Sequence, residues 1–470
     1  MRLTEFKDHQ RELHYFHLRI GIAGVLVFAA FALLLLRFVY LQIVQYDYYR
    51  TKAEDNRISI VPIIPNRGLI LDRGGTVLAR NYSAYTLEIS PGKVDNLEKT
   101  INELEAIVEI RPSDRARFKR LMIEAKGAVS LPIRTRLTDE EVAKFAVNNY
   151  RFPGVDIQAR LFRQYPLNAA ASHVTGYIGR INDRDVARIN EAGLAANYKG
   201  TDHIGKTGLE QSYEGELHGI TGYEQVEVDS AGRGVRTLSR TSPTPGNNLV
   251  LTLDIKLQQV AEQAFGDTRG ALVAIEPDTG GVLAFVSKPG FDPNLFVDGI
   301  DPASWEELNT SQDRPMVNRA LAGTYPPGST FKPYMALAAL ELRKRTPQQA
   351  ISDPGYFMFG GHRFRDDKPG GHGTVDMYKS LVQSCDTYYY VLGNDLGIDN
   401  IARFIGQFGF GARTGIDVEG EASGVLPSPE WKRKRFKKPE QQKWYPGETI
   451  SIGIGQGYNA YPPLQMAQAM

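Results

Sequence analysis

One block of the chain shows no alternation of apolar and polar positions. Residues 20–36 read IGIAGVLVFAAFALLLL without a charge, and beyond Arg37 the apolar stretch resumes as FVYLQIV up to Val44. A helix needs roughly 20 apolar residues to cross a bilayer, and an arginine near one end can snorkel to the headgroups. Cleavable leaders have an apolar core of about 7–15 residues. This run is longer and no small-x-small site follows it, so the pattern predicts a retained anchor rather than a leader or a buried core helix. Arg2, Lys7, Arg11 and Arg19 precede the span, while Arg37, Arg50, Lys52 and Arg57 follow it. Charge alone leaves the orientation open.

After the anchor, residues 46–56 continue as a polar helix. Residues 58–79 (ISIVPIIPNRGLILDRGGTVLA) run in short apolar stretches broken by Gly68, Gly74 and Gly75, which predicts strands with a hairpin tip at Asp72-Arg73-Gly74-Gly75. Leucine and isoleucine at helical spacing predict a helix over 97–110, stopped by Pro112, and a second over 113–125. Residues 152–236 read as a strand-and-turn region. Ser, Thr, Pro, Gly and Asn crowd into residues 239–248 (SRTSPTPGNN), the best domain boundary in the chain. Beyond it the pattern predicts a strand running into a helix over 249–265 and an apolar hairpin about Pro-Asp-Thr-Gly-Gly over 270–289. Strong helices follow over 330–342 and 379–397. Strands and helices mixed in this order make a layered α/β or α+β domain.

Composition adds exclusions. With 42% hydrophobic and 23% charged residues the chain is not generally disordered, and 470 residues allow two folded units plus the anchor. Lys and Arg number 55 against 54 Asp and Glu, without the basic excess of a nucleic-acid binder. Cys385 is the single cysteine, which excludes an intrachain disulfide framework.

The sharpest candidate chemistry is Gly328-Ser329-Thr330-Phe331-Lys332-Pro333. Pro333 belongs in the first turn of a helix, where its missing N–H does little harm. Ser329 then sits at or just before the helix start, with Lys332 on the same face. The helix N-terminus favours negative charge developing on the hydroxyl. A partly buried amine near that positive end gives up its proton more readily, which makes Lys332 the candidate base. An isolated S-x-x-K is more often a capping serine followed by a surface lysine.

Its setting is more specific. PPGSTFKP, with an alanine- and leucine-rich helix after it and NRALAGTY before it, resembles the nucleophile segment of penicillin-binding proteins, whose signature joins S-x-x-K to S-D-N and K-T-G. Ser384-Cys385-Asp386, 55 residues beyond Ser329, fills the second position with Asp in place of Asn. That keeps a hydroxyl for proton relay and puts an acceptor where an amide would donate. Nothing after Asp386 supplies K-S/T-G, and Lys206-Thr207-Gly208 lies upstream of the nucleophile, out of order. Asn66-Arg67-Gly68-Leu69-Ile70-Leu71-Asp72-Arg73, Arg163-Gln164-Tyr165-Pro166 and GLEQSYEGELHG resemble pedestal motifs of class B penicillin-binding proteins. Over essentially its whole length the chain resembles the elongation type of that class, cut before the K-S/T-G strand.

The resemblance implies an α+β protein of the bacterial inner membrane, single-pass, with its bulk in the periplasm. Residues 1–18 would be a cytoplasmic tail and 19–44 the transmembrane helix. An elongated mixed β/α pedestal, dimerisation-like, would follow over 45–243. Residues 244–470 would form the transpeptidase domain, an antiparallel sheet flanked by helices, lacking its C-terminal part. The implied reaction needs no organic cofactor. Ser329 would attack the penultimate D-alanyl carbonyl of a peptidoglycan stem pentapeptide and release D-alanine. An amine of a neighbouring stem peptide would then resolve the acyl-enzyme into a cross-link. Lys332, Ser384 and Asp386 would complete the catalytic set, and β-lactams would acylate the same serine. The Ser329 N–H, with one from the K-S/T-G strand, would form the oxyanion hole. The implied partner is a polytopic glycosyltransferase of the elongation machinery. Without the K-S/T-G strand, the alternative is a catalytically incompetent membrane scaffold or activator of that partner. A β-lactam-sensing receptor or D,D-carboxypeptidase does not carry this long pedestal.

Asp353, Asp366 or Asp367, His372 and Cys385 fall within a short stretch and are acceptable ligands for a closed, structural zinc site. Some elongation-type relatives carry such a site. A metal there would tie the loop of Ser384 and Asp386 to the segment from Asp353 to His372; the plain alternative is a buried thiol among loop acids. The basic run over 432–438 (KRKRFKK) reads as a solvated loop, with contact to anionic wall polymer or lipid headgroups as the sharper alternative. Tyr388, Tyr389 and Tyr390 read as packing residues, and His362 needs no role.

Overall fold

The apolar block forms one helix, His9–Val39, that continues as a π-helical turn over Tyr40–Val44. The computed structural model describes residues 9–50, 58–124, 130–228 and 234–470. The span Gln10–Val44 has 35 residues, and its most apolar 18-residue stretch has a mean hydropathy of 2.6 with none of it buried inside the protein. At 1.5 Å per residue it reaches ~52 Å, more than the ~30 Å of a hydrocarbon core. The polar continuation is helical over residues 46–50. Its remainder, the first eight residues of the expected tail, and the basic flanking residues Arg2, Lys7, Lys52 and Arg57 lie outside the described residues.

Contact density divides the chain into two units, Met1–Ile64 with Thr221–Thr244, and Pro65–Ile220 with Pro245–Met470. The first holds, besides the helix, an antiparallel sheet in which Gly222–Val228 lies between Ile58–Ile63 and Gly234–Thr241.

In the second unit the expected hairpin at Asp72 is present. The Asp72 N–H donates to Thr76 O at 2.9 Å, and its Oδ1 accepts the Gly74 and Thr76 N–H groups, with Gly75 at φ +83° in the left-handed region glycine tolerates. The hairpin joins Ile70–Leu71 to the long strand Val77–Ile89, which pairs with Leu131–Leu137 and Val155–Gln164. Leu249–Val250 then adds in parallel to Ile70–Leu71, so the chain returns to this sheet after residue 248. A Cβ on Gly68 would lie 1.8 Å from Asn247 O, so only glycine fits where the two segments meet.

The three pedestal-like motifs converge on one buried carboxylate. Glu210, fully buried, accepts Arg67 Nε and Arg163 Nε at 2.7 Å each and Tyr165 Oη at 3.1 Å. Burial alone would raise its pKa; the two guanidinium groups outweigh that and hold it below the usual range. Nearby in sequence, His173 is buried with its ring edge-on to Phe291, and Nε2 bonds Pro315 O at 2.9 Å. Burial depresses this histidine to about 4, against the hydrogen bond to Pro315 and with the help of Arg319.

Downstream, helix Ile255–Phe265 covers the antiparallel pair Gly270–Ile275 and Val282–Lys288, the hairpin expected at Pro-Asp-Thr-Gly-Gly. Buried Gln258 bonds both the N–H and C=O of Phe285, which fixes helix to strand. Helices Lys332–Glu341, Asp386–Leu396 and Ile398–Ile405 pack around Phe331, Met335, Tyr388, Tyr389 and Leu392, and the tyrosines are core as expected. The α+β class holds.

Five expected elements differ. The helix over 97–110 ends at Leu104, although Val108 and Ile110 still point into the core. The next begins at Pro112, so that proline starts a helix rather than only stopping one. The strand-and-turn region contains helices, among them Asp183–Glu191, whose Asn182–Asp185 capping box looks like turn chemistry in sequence. The helix over 379–397 is two, Met377–Val382 and Asp386–Leu396, because Ser384 takes φ +55° between them. The basic run is not a solvated loop: its first residues belong to helix Pro429–Arg435, capped by the Ser428 side chain, and Lys432 is buried.

Candidate active site

Pro327 and Gly328 bring the chain into a short 3-10 turn, Gly328–Phe331, that runs directly into helix Lys332–Glu341 with Pro333 in its first turn. Gly328 at φ +57° donates its N–H to Gly455 O at 3.0 Å, and a Cβ on Gly455 would lie 2.3 Å from Gly328 O. The glycine-rich segment after Ile450 therefore holds the nucleophile turn against its own backbone. Thr330 Oγ1 closes the turn on Pro327 O at 2.7 Å, and Phe331 is fully buried beside Tyr461 and Phe410. Ser329 is left exposed at the start of this turn.

Lys332 points inward and is 1% exposed. Its nitrogen lies within hydrogen-bond distance of three acceptors: Ser384 O at 2.6 Å, Ser384 Oγ at 3.0 Å and Asp386 Oδ1 at 2.6 Å. The Tyr389 ring lies 5.6 Å from the nitrogen. Ser384 Oγ also lies 2.8 Å from Ser329 Oγ. Among the described hydrogen bonds Lys332 reaches Ser329 through Ser384 and not directly, so the expected serine–lysine contact is a four-membered relay ending on Asp386. The acceptor at position 386 is used: it pairs with the lysine. Ser329, Lys332, Ser384 and Asp386 all come together. Lys206-Thr207-Gly208 does not join them; Lys206 pairs with Asp185, and Thr207 precedes helix Gly208–Ser212.

Directly behind this relay lies the second constellation. Asp353, Asp366, His372 and Cys385 offer ligand atoms all within 4.8 Å of one another. His372 Nδ1 is 3.0 Å from Asp353 Oδ2 and 3.2 Å from Asp366 Oδ1, and Cys385 Sγ is 3.5 Å from a carboxylate oxygen of each aspartate. Tetrahedral zinc with ligands at about 2.0–2.3 Å sets them roughly 3.4 Å apart; the donor types suit that ion, while Asp366 meets the histidine and the thiol with different carboxylate oxygens. Asp366, not Asp367, is the member. Burial would raise Asp366, but hydrogen bonds from Asp367 and from the Thr387 and Lys368 N–H groups hold it down to about 2. Asp367 is raised in turn, first by its hydrogen bond to Asp366. Burial pushes the Cys385 thiol far above its usual range. His362 stays exposed, its ring against Phe364.

Sequence reasoning missed two parts of the site. The Gly455 contact left only a glycine-rich signal in ISIGIGQGYNA. The left-handed backbone at Ser384 left none, because serine is unremarkable inside an apparently continuous helix.

Residues 62–251 match the family described as penicillin-binding protein dimerisation domain, and residues 270–470 the penicillin binding protein transpeptidase domain. The peptidoglycan D,D-transpeptidase MrdA of Escherichia coli (strain K12) is 45% identical over 469 residues, which is 99% of this chain and 74% of that protein. MrdA of Acinetobacter baumannii is 45% identical over 98% of this chain and 68% of its own. Among solved structures, Pseudomonas aeruginosa PBP2 in complex with WCK 5153 matches with a TM-score of 0.64 and 38% identity, covering 87% of this chain and 69% of that one. PBP2 in complex with MreC from Helicobacter pylori matches with a TM-score of 0.73 and 29% identity, covering 87% and 75%. Motifs, fold and relatives agree: the chain belongs to the class B penicillin-binding proteins, as an elongation-type peptidoglycan D,D-transpeptidase.

Proposed function

We propose that this D,D-transpeptidase carries its acyl group on Ser329, with Ser384, Lys332 and Asp386 moving the proton. The observation behind the reading is the position of Ser384 Oγ, 2.8 Å from Ser329 Oγ and 3.0 Å from Lys332 Nζ. Ser329 attacks the penultimate D-alanyl carbonyl as its proton passes through Ser384 to Lys332 in its amine form. The tetrahedral intermediate then expels D-alanine, whose nitrogen takes that proton, and an ester on Ser329 remains. An amine of a second stem peptide attacks the ester and gives up a proton to the relay, and the departing Ser329 oxygen is reprotonated. The Ser329 N–H lies among the first-turn donors that a helix cannot satisfy itself, which suits it to the developing oxyanion.

Asp353, Asp366, His372 and Cys385 would hold a structural zinc, which supplies cross-linking rather than chemistry at the substrate. Cys385 lies between Ser384 and Asp386, so the ion would fix the loop that carries two relay members. We further assign residues 1–18 to a cytoplasmic tail, 19–44 to an inner-membrane anchor, 45–243 to a periplasmic pedestal and 244–470 to the transpeptidase domain. The partner is a polytopic glycosyltransferase of the elongation machinery, a reading supported by the similarity to the structure of a peptidoglycan synthase complex that coordinates polymerization and crosslinking. Labelling with fluorescent penicillin tests the nucleophile: the wild type should be labelled and Ser329→Ala should not. Labelling of Ser329→Ala at the wild-type rate would overturn the assignment.

A further inference from the structure

The segment 429–445 concentrates positive charge that the catalytic relay does not use. Arg433, Lys434, Arg435, Lys437, Lys438 and Lys443 are all exposed, and only Lys434 has an ion-pair partner among the described residues, Glu430 at 2.7 Å. The protein as a whole carries a formal charge of only +1, so this is a local patch and not a general surplus.

The patch is held in a fixed place, unlike the loop its sequence resembles. Lys432, 3% exposed, donates to Lys443 O at 2.8 Å and pairs with Glu448, with the rings of Trp444, Tyr445 and Tyr458 around its nitrogen at 5.3–5.7 Å. Trp431 and Phe436 also pack on Tyr458. One buried cation thus pins both ends of the segment while its neighbours face solvent. Glu448 opens helix Pro446–Ile452, and that helix leads to Gly455, whose carbonyl holds Gly328 next to Ser329. The patch is therefore joined to the nucleophile turn through one short helix. Tyr445, 47% exposed, adds an aromatic face beside Lys443.

We propose that this surface binds peptidoglycan strands, engaging the free carboxylates of stem peptides along the glycan while one stem enters the cleft. Anionic lipid would match the charge equally well; the connection to the nucleophile turn through helix Pro446–Ile452 is what favours this polymer over a membrane. Steering by several cations raises the local concentration of a polyanion and weakens with salt. The inference rests on peptidoglycan being the substrate but not on which serine is acylated. Penicillin labelling reads the second and binding to wall material the first, so either can fail alone.

The test is co-sedimentation of the detergent-solubilised chain with purified sacculi at several salt concentrations. The charge reversal R433E/R435E/K437E/K438E should weaken binding by about ten-fold at low salt and flatten its salt dependence. The neutral set R433Q/R435Q/K437Q/K438Q, with its thermal midpoint checked against wild type, should give a smaller loss and guards against misfolding of the reversal. Unchanged sacculus binding in the well-folded neutral set and the reversal overturns the proposal. So does a loss confined to vesicles of phosphatidylcholine and phosphatidylglycerol, which would make the patch a lipid contact.

Discussion

The hydroxyls of Ser384 and Ser329 lie 2.8 Å apart although 55 residues separate them in sequence. The approach depends on a backbone conformation at Ser384, φ +55°, that residues with a Cβ adopt at a cost. The proposed relay role and the backbone strain therefore fall on one residue.

Replacing that residue separates the two. Ser384→Ala and Ser384→Gly should both slow acylation by labelled penicillin by about a hundred-fold or more, since each removes the relay hydroxyl. Glycine accepts the left-handed backbone freely, so Ser384→Gly should be more stable than Ser384→Ala by about 1 kcal/mol in urea unfolding. Equal stabilities would show that no strain resides there.

Purified protein should contain about one equivalent of zinc by elemental analysis, and a strong chelator should lower the thermal midpoint. Cys385→Ser should lose the metal and most of that stabilisation. A metal-free preparation, with Cys385→Ser as stable as wild type, would remove the site.

Glu210→Ala leaves Arg67 and Arg163 facing each other without their shared carboxylate. Breaking a buried ion cluster this way should destabilise the second unit by about 3–5 kcal/mol, measured by chemical denaturation. A loss below about 1 kcal/mol would mean that the surrounding packing, not the carboxylate, joins the three motifs.

His173 gives stability a pH dependence of definite sign. Its folded pKa is about 4 against an ordinary 6.5, so between these values the unfolded chain binds a proton that the folded one refuses. Stability contributed above pH 6.5 should therefore fall as pH drops towards 4, by about 3 kcal/mol at 1.36 kcal/mol per unit. His173→Gln should lack that part of the decline; parallel curves for both proteins would exclude the histidine as its source.

The strongest sequence signals were those in which local chemistry alone decides the structure. The charge-free anchor, the Asp72 turn and the proline-started helix after Ser329 each satisfy their own backbone, and each appears where expected. The relay residues were legible because their order is a motif, yet their geometry was not: Lys332 turns to Asp386, and Ser384 stands between the lysine and Ser329. The metal-binding candidates were legible as a set, whereas the choice of Asp366 over Asp367 depends on hydrogen bonds from Thr387 and Lys368 that no spacing reveals. Lys432 shows the same limit from the other side. In sequence it is one of a run of surface-like lysines, and only the rings of residues 444, 445 and 458 distinguish it.

The strand Leu249–Val250, which pairs in parallel with Ile70–Leu71, has a bearing on biosynthesis. Its neighbour Asn248 caps the Leu69 N–H across 179 residues, so the sheet begun early in synthesis stays one strand short until that stretch leaves the ribosome. A nascent chain halted before residue 248 would leave Ile70–Leu71 as the edge of that sheet, so this unit can close only once the later stretch has been made.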